Sequence, residues 1–253
     1  MTAPYSPPYS PEEFLITAVT RLLPARGNGA IGAASPIPGA AALLQRELTG
    51  GAFRVSLIHG ITNNPFTDGG RELFDLAGQG RIDVFFLGGV QIDGQANLNL
   101  VGTGEYPALD RRFPGSFGSA YMYFTVPRVI LFRPEHTRRV FVDKVDFISA
   151  PGVSPPDVHR PGGPHALVTE LCIMAFDRAR ARFRLDSVHP GHSVEEVRDN
   201  TGFDFDIPDS VPTTPEPETD RLEILRTKIG REVAGTYPDF AERVLGYRAK
   251  ASA

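Results

Sequence analysis

The sequence predicts an α/β protein: an open, mostly parallel sheet with flanking helices. Three observations carry this. In the N-terminal third, apolar runs of strand length alternate with segments of helical period. The run over residues 82–87 is continuously apolar, as suits a strand covered on both faces. A dense series of glycines follows it (Gly88, Gly89, Gly94, Gly102, Gly104, Gly115 and Gly118), just where sheets of this kind present their ligand-facing edge.

The chain has 253 residues, enough to bury a substantial core. Residues 1–9 read as a flexible N-terminal arm, because their prolines deny them helix and ladder bonds. Ser10-Pro11-Glu12-Glu13 then offers a capping box with proline at the first helical position. Phe14, Leu15, Ala18, Val19, Leu22 and Leu23 recur at helical spacing behind it. Residues 28–34 read as a tightly packed strand, 35–38 as a turn and 39–48 as a second helix. Residues 53–59 form the next strand, 61–70 the loop behind it and 71–78 a short helix. After the glycine-rich loops, residues 128–133, 143–149, 167–177 and 183–188 all read as strands. The proline- and glycine-rich stretch 150–164 is an excursion between them, a lid or a surface loop. Ser193 and Glu196 repeat the capping logic and start a helix that runs to Asn200 and ends at Gly202. Residues 207–217 form a linker, and a helix covers about 219–228. The expected organisation is one main unit over 10–206, with a linker and helical tail over 207–253.

Composition narrows the function. With 26 basic against 30 acidic residues and no Lys/Arg run, nothing marks a nucleic-acid face. No segment has the apolar length of a membrane span, and the N-terminus lacks a signal-peptide layout, so a cytoplasmic protein is expected. The single cysteine, Cys172, excludes a disulfide framework and reads as a small core hydrophobe. The histidines His159, His165, His189 and His192 lack zinc spacing, so no metal is expected. Gly102-Thr103-Gly104 is not completed to a dinucleotide fingerprint, and Gly115-Ser116-Phe117-Gly118-Ser119 is not a nucleophile elbow.

Four segments in fixed order say more than any of these motifs. Leu87-Gly88-Gly89-Val90-Gln91-Ile92-Asp93, with Gly94-Gln95-Ala96-Asn97-Leu98-Asn99, resembles the strand-and-turn signature of class I coenzyme A-transferases in their β subunits. Gly115-Ser116-Phe117-Gly118-Ser119-Ala120 resembles the downstream glycine-rich loop of that family. The run from Val168 to Asp177 is similar to its closing strand, and the run from His189 to Asp204 to its ending. The resemblance covers about residues 10–206.

The resemblance implies a CoA-transferase-type fold, an α subunit of the same family as partner in a heterodimer or α2β2 assembly, and an acyl-CoA thioester as substrate. No permanently bound cofactor is implied. In the family a β-subunit glutamate attacks the thioester and passes through an acyl anhydride and a glutamyl-CoA thioester. Backbone N–H groups of the glycine-rich loops would hold the oxyanion. Gly88, Gly89, Gln91, Gly115, Ser116 and Gly118 are the implied substrate- and CoA-binding positions. The family's glutamate position falls on Ile58 here, followed by His59 and Gly60, and an isoleucine cannot carry an acyl group. The nearest glutamate, Glu72, falls on the following helix. Three readings stay open. One is a hydrolase-type member resembling the steroid-ring-cleaving branch, with His59 lining the site. The second is a true CoA-transferase whose nucleophile lies elsewhere, and the third a non-catalytic acyl-CoA-binding or scaffolding subunit.

Overall fold

A computed structural model describes residues 8–58, 60 and 62–248. Helix α1 (Pro11–Arg21) opens on the expected capping box: Glu13 N–H donates to Ser10 Oγ, and Ser10 N–H donates to Glu13 Oε2 at 2.8 Å. Strand β1 (Gly27–Ile31) leads to α2 (Pro36–Leu48), which starts three residues earlier than expected. Pro36 and Pro38 are accommodated in its first turn, where proline's missing N–H is no loss. Then follow β2 (Phe53–Leu57), α3 (Gly70–Gly78) and β3 (Val84–Leu87), all four residues of which are buried.

The glycine-rich region folds into two small ribbons, β4 (Gln91–Ile92) with β5 (Leu98–Asn99), and β6 (Gly102–Thr103) with β7 (Arg111–Arg112). A short helix, α4 (Ser119–Thr125), closes it; no periodicity in so brief a segment announced it. Beyond come β8 (Arg128–Phe132), β9 (Pro164–Val168), β10 (Cys172–Asp177), β11 (Arg182–Val188) and α5 (Val194–Asn200). The tail continues past the expected end near Lys228. It comprises α6 (Thr219–Ile224), a π-helical turn over Leu225–Ile229, α7 (Gly230–Ala234) and α8 (Pro238–Leu245).

Seven strands form one sheet in the order β11-β10-β9-β8-β3-β1-β2. From β2 to β9 every pairing is parallel; β10 and β11 are antiparallel. The segment expected as one strand over 167–177 is thus a hairpin. Its turn is made by the Thr169 hydroxyl, which accepts from the N–H groups of Leu171 and Cys172, both at 3.1 Å. An apolar run does not reveal a chain reversal inside it. Residues 143–149 are not a strand. They lie beside the β4–β5 ribbon and are tied to it by side chains, Asp146 N–H donating to Gln91 Oε1 (3.0 Å) and Ser149 Oγ to Leu98 O (2.8 Å).

Strand side chains alternate between two cores. Val84, Phe86 and Ile130 face α1, α2 and the tail helices, whereas Phe85, Leu87, Val129 and Leu131 face α3, α4 and the β4–β5 ribbon. The tail supplies Leu225, Ile229, Val233 and Phe240 to the first core. Glu13 fastens it: besides closing the capping box, its carboxylate accepts from Arg226 Nε at 2.6 Å and Nη2 at 3.0 Å. Residues 1–7 of the expected arm lie outside the described residues, while Tyr9 stacks on Phe14 with ring centroids 6.1 Å apart. Among the described residues no helix is long and apolar enough to cross a membrane.

The topology creates one natural crevice. From β1 the chain passes through α2 to β2 on one side, then returns through α3 to β3 on the other side of β1. Helices α2 and α3 consequently cover opposite faces, and the loops leaving β1 and β3 diverge. Ligands of open α/β sheets bind at such a switch point, beyond the carboxyl ends of the strands.

Candidate functional site

A cavity of about 520 Å³ occupies this switch point. Gly32, Ala33 and Ser35 line it from beyond β1, Ile58 from the end of β2, and Leu87 and Gly88 from β3. The β2–α3 loop and α3 add Asn64, Phe66, Leu73 and Phe74, and the second glycine-rich loop adds Ser116, Phe117, Gly118, Ser119 and Met122. The polar side chains among its described lining residues are three serines and one asparagine, and none of these residues is ionisable.

Of the positions singled out by sequence, Ile58, Gly88, Ser116 and Gly118 meet here, whereas Gly89, Gln91 and Gly115 do not line the cavity. Gln91 is buried inside the β4–β5 ribbon, where its Oε1 accepts from Asn99 Nδ2 at 2.8 Å and from the Asp146 N–H. A side chain on Gly89 would put Cβ 2.7 Å from Gln91 O, and one on Gly88 would put it 3.0 Å from Phe132 O. At Gly118 it would run into the Phe74 ring. Three of the glycines therefore admit neighbouring protein atoms. Gly115 has open space on its Cβ side but holds φ +99°, a backbone conformation that favours glycine.

The chain after β2 turns sharply. Ile58 N–H donates to Ile31 O at 3.0 Å, Gly60 N–H to Leu57 O at 2.9 Å, and Leu57 N–H to Asn63 O at 2.7 Å. His59, the proposed catalytic position, lies outside the described residues, as does Ile61. Glu72 is committed elsewhere. Its carboxylate accepts from the Asp68 N–H at 3.0 Å, the Thr67 Oγ1 at 2.9 Å and the Thr67 N–H. These bonds, the Asp68 N–H first, hold it below the usual carboxylate range.

Sequence reasoning did not single out the aromatic rim. Phe117 holds φ +37° between Gly115 and Gly118 and is 92% exposed. Its ring lies 5.6 Å from that of Phe74, which in turn meets Tyr121 edge-on at 5.7 Å. A bulky residue inside a glycine-rich run is the one sequence signal that could have marked it.

The strongly perturbed histidines sit elsewhere, under β10 and β11. His136 and His189 are 2% and 3% exposed, and desolvation lowers each from the ordinary 6.5 to about 4. Their hydrogen bonds form one directed chain. Ser187 Oγ donates to Thr214 Oγ1 (2.6 Å), Thr214 Oγ1 to His189 Nδ1 (2.9 Å), and His189 Nε2–H to Thr169 O (3.0 Å). Thr169 Oγ1 donates to His136 Nδ1 (2.8 Å), His136 Nε2–H to Thr201 Oγ1 (2.9 Å), and Thr201 Oγ1 to Val197 O (2.7 Å). The directions are assigned from the carbonyl acceptors, and with both rings neutral every donor finds an acceptor. Beside them Cys172 is buried, its thiol pushed up to about 12 by desolvation. His192, on the surface, pairs with Glu196 at 2.9 Å. Among the described residues no group of three or more His, Cys, Asp or Glu could hold a metal ion.

A family model described as coenzyme A transferase matches residues 13–200. The chain is 36% identical over 161 residues to the B subunit of 3-oxoadipate CoA-transferase of Pseudomonas knackmussii, covering 61% of this chain and 62% of that protein. It is 35% identical over 154 residues to the B subunit of glutaconate CoA-transferase of Acidaminococcus fermentans, covering 58% and 56%. To the cholesterol ring-cleaving hydrolase IpdB subunit of Rhodococcus jostii it is 31% identical over 160 residues, 62% of each. The chain thus spans less than two thirds of the length of these curated relatives. Among solved structures, R. jostii IpdAB superposes with a TM-score of 0.77 at 25% identity, covering 87% of this chain and 94% of that one. Glutaconate CoA-transferase of A. fermentans gives 0.76 at 21%, with the same coverage, a likeness of fold. The family model extends from the first helix to the last residue of α5, most of the chain; the chain belongs to the coenzyme A transferase family.

Proposed function

We propose that this chain is the β subunit of a two-subunit enzyme acting on acyl-CoA thioesters, and that it works as a hydrolase-type member without a glutamyl carrier of its own. The observation that carries this is Ile58. It stands where the resemblance puts the family's glutamate and lines a cavity whose described residues offer no carboxylate, thiol or imidazole. Covalent CoA transfer needs a carboxylate that becomes first an anhydride and then a thioester, and an isoleucine side chain does neither. Hydrolysis needs less. A base takes a proton from water as the water oxygen attacks the carbonyl, and backbone N–H groups stabilise the oxyanion. The thioester and water then yield a carboxylic acid and free CoA thiol. In this reading the α subunit supplies the base and His59 relays the proton. The similarity to the IpdB subunit, a hydrolase component by name, supports it.

A second reading, a true transferase whose nucleophile lies in the partner, is favoured by the somewhat higher identity to the two CoA-transferase relatives. The two separate in one assay on the chain purified with its α subunit. Hydrolysis predicts CoA release or ring opening with no acceptor acid present, and no inactivation by borohydride during turnover. Exchange of CoA into labelled acetate or succinate, with borohydride inactivation, would establish the transferase instead. His59→Gln should lower kcat about 100-fold with KM little changed, the usual size of a lost acid–base group.

A further inference from the structure

The walls of the switch-point cavity define the acyl group it accepts. Ile58, Leu73, Phe74, Leu87, Phe117 and Met122 are among the apolar side chains that line it, and no described lining residue carries a charge. A carboxylate entering this space would shed water with no described cation to meet it, whereas apolar surface gains by entering. The volume of about 520 Å³ lies within the roughly 300–1,000 Å³ of small-molecule sites.

Phe117 sets the rim. Its backbone is left-handed at φ +37° and its ring is 92% exposed, so it is unfavourable on both counts in the chain by itself. Backbone outliers of this kind collect at ligand clamps. The glycines on either side fix its position: Gly115 turns the chain at φ +99°, and Gly118 leaves room for the Phe74 ring against which Phe117 rests.

We infer that this cavity takes the acyl end of the thioester as an uncharged, alicyclic or branched apolar group, and that Phe117 closes over it as the specificity-determining ring. The inference rests on the acyl-CoA reading above. It separates this chain from the relatives named for 3-oxoadipate and glutaconate, both dicarboxylates, whose far carboxylate would find no described cation in this cavity.

The test uses the full chain, with its α subunit where the two co-purify, and isothermal titration with three probes: thioether analogues of cyclohexylacetyl-CoA and glutaryl-CoA, and free cyclohexylacetate. The cyclohexyl analogue should bind at least about 10-fold more tightly than the glutaryl one, the scale of a few buried methylenes. Phe117→Gly, which removes the ring and suits the positive φ, should narrow the difference to about 3-fold or less by weakening the cyclohexyl analogue alone. Phe117→Leu should retain an intermediate preference, and thermal melts of both variants check that they fold. Equal or tighter binding of the glutaryl analogue, or a preference that Phe117→Gly leaves intact, overturns the inference while the acyl-CoA reading stands. Phe117-dependent binding of cyclohexylacetate with neither CoA analogue bound upholds the apolar pocket and overturns the acyl-CoA reading. Binding of none of the three overturns both.

Discussion

Two regions of this molecule use polar groups in opposite ways. Beneath the antiparallel strands β10 and β11, Ser187, Thr214, His189, Thr169, His136 and Thr201 form a chain of hydrogen bonds that ends on Val197 O. At the switch point, where β1, β2 and β3 end, the cavity walls are mostly apolar and their described residues carry no charge. Displaced pKa values usually direct attention to a functional site. Here they mark a structural joint that fastens a hairpin turn, α5 and residue 214 of the segment after it. The described lining residues of the candidate site include no such group. Desolvation alone does not separate the two regions. A buried imidazole is stable when both of its nitrogens are satisfied in the neutral form, and such a ring has its N–H and its lone pair already committed to protein partners.

The largest test of this contrast is acidification. Each histidine titrates near 6.5 in the unfolded chain and near 4 in the fold. Between these values the unfolded chain binds more protons, so stability falls as pH drops from about 6.5 to 4 and is flat above 7. The slope should be ~1.4 kcal/mol per pH unit for each ring, on the order of 5 kcal/mol for the pair over the window. Urea denaturation at a series of pH values, repeated on His136→Gln, measures it; a slope unchanged in the variant would remove His136 from the account.

The next effect in size belongs to Thr169. Its hydroxyl donates to His136 and accepts from two backbone N–H groups. Thr169→Val leaves all three unpaired and should cost ~3 kcal/mol, against well under 1 kcal/mol for Thr169→Ser, by denaturant midpoints. In the native protein Cys172, with its thiol pushed up to about 12, should resist a thiol reagent that labels it readily once unfolded.

The smallest effect lies at the cavity. Ile58→Glu places a carboxylate on an apolar wall that is only half buried, and should cost about 1 kcal/mol because water reaches the site. The cavity favours the neutral acid, so the loss should grow from pH 5 to pH 8. A loss near 3 kcal/mol would mean that the cavity is a closed core and not an open site.

Parts of this architecture were legible in the chain itself. The capping box at Ser10 and Glu13, the buried run ending at Leu87 and the order of helices and strands up to that run are local patterns, and local physics enforces them. Errors arose where one pattern serves two structures. Residues 167–177 are apolar whether they form one strand or a hairpin, and residues 143–149 carry strand-like residues in a loop held by Gln91 and Leu98. The tail reads as one helix with a linker, yet four helical segments pack into the first core through residues more than 200 positions from α1 in sequence.

Neighbouring residues and the order of short segments were enough to reveal the family, the alternation that builds the sheet and the isoleucine at the end of β2. Which of the marked positions share a space was settled by folding. The fold brought Ile58, Gly88, Ser116 and Gly118 together, gave Gln91 to the ribbon and Glu72 to its own loop, and joined His136 to His189 through Thr169. Cavities and hydrogen-bond relays depend on contacts between distant segments, and the composition or spacing of a single stretch does not record them.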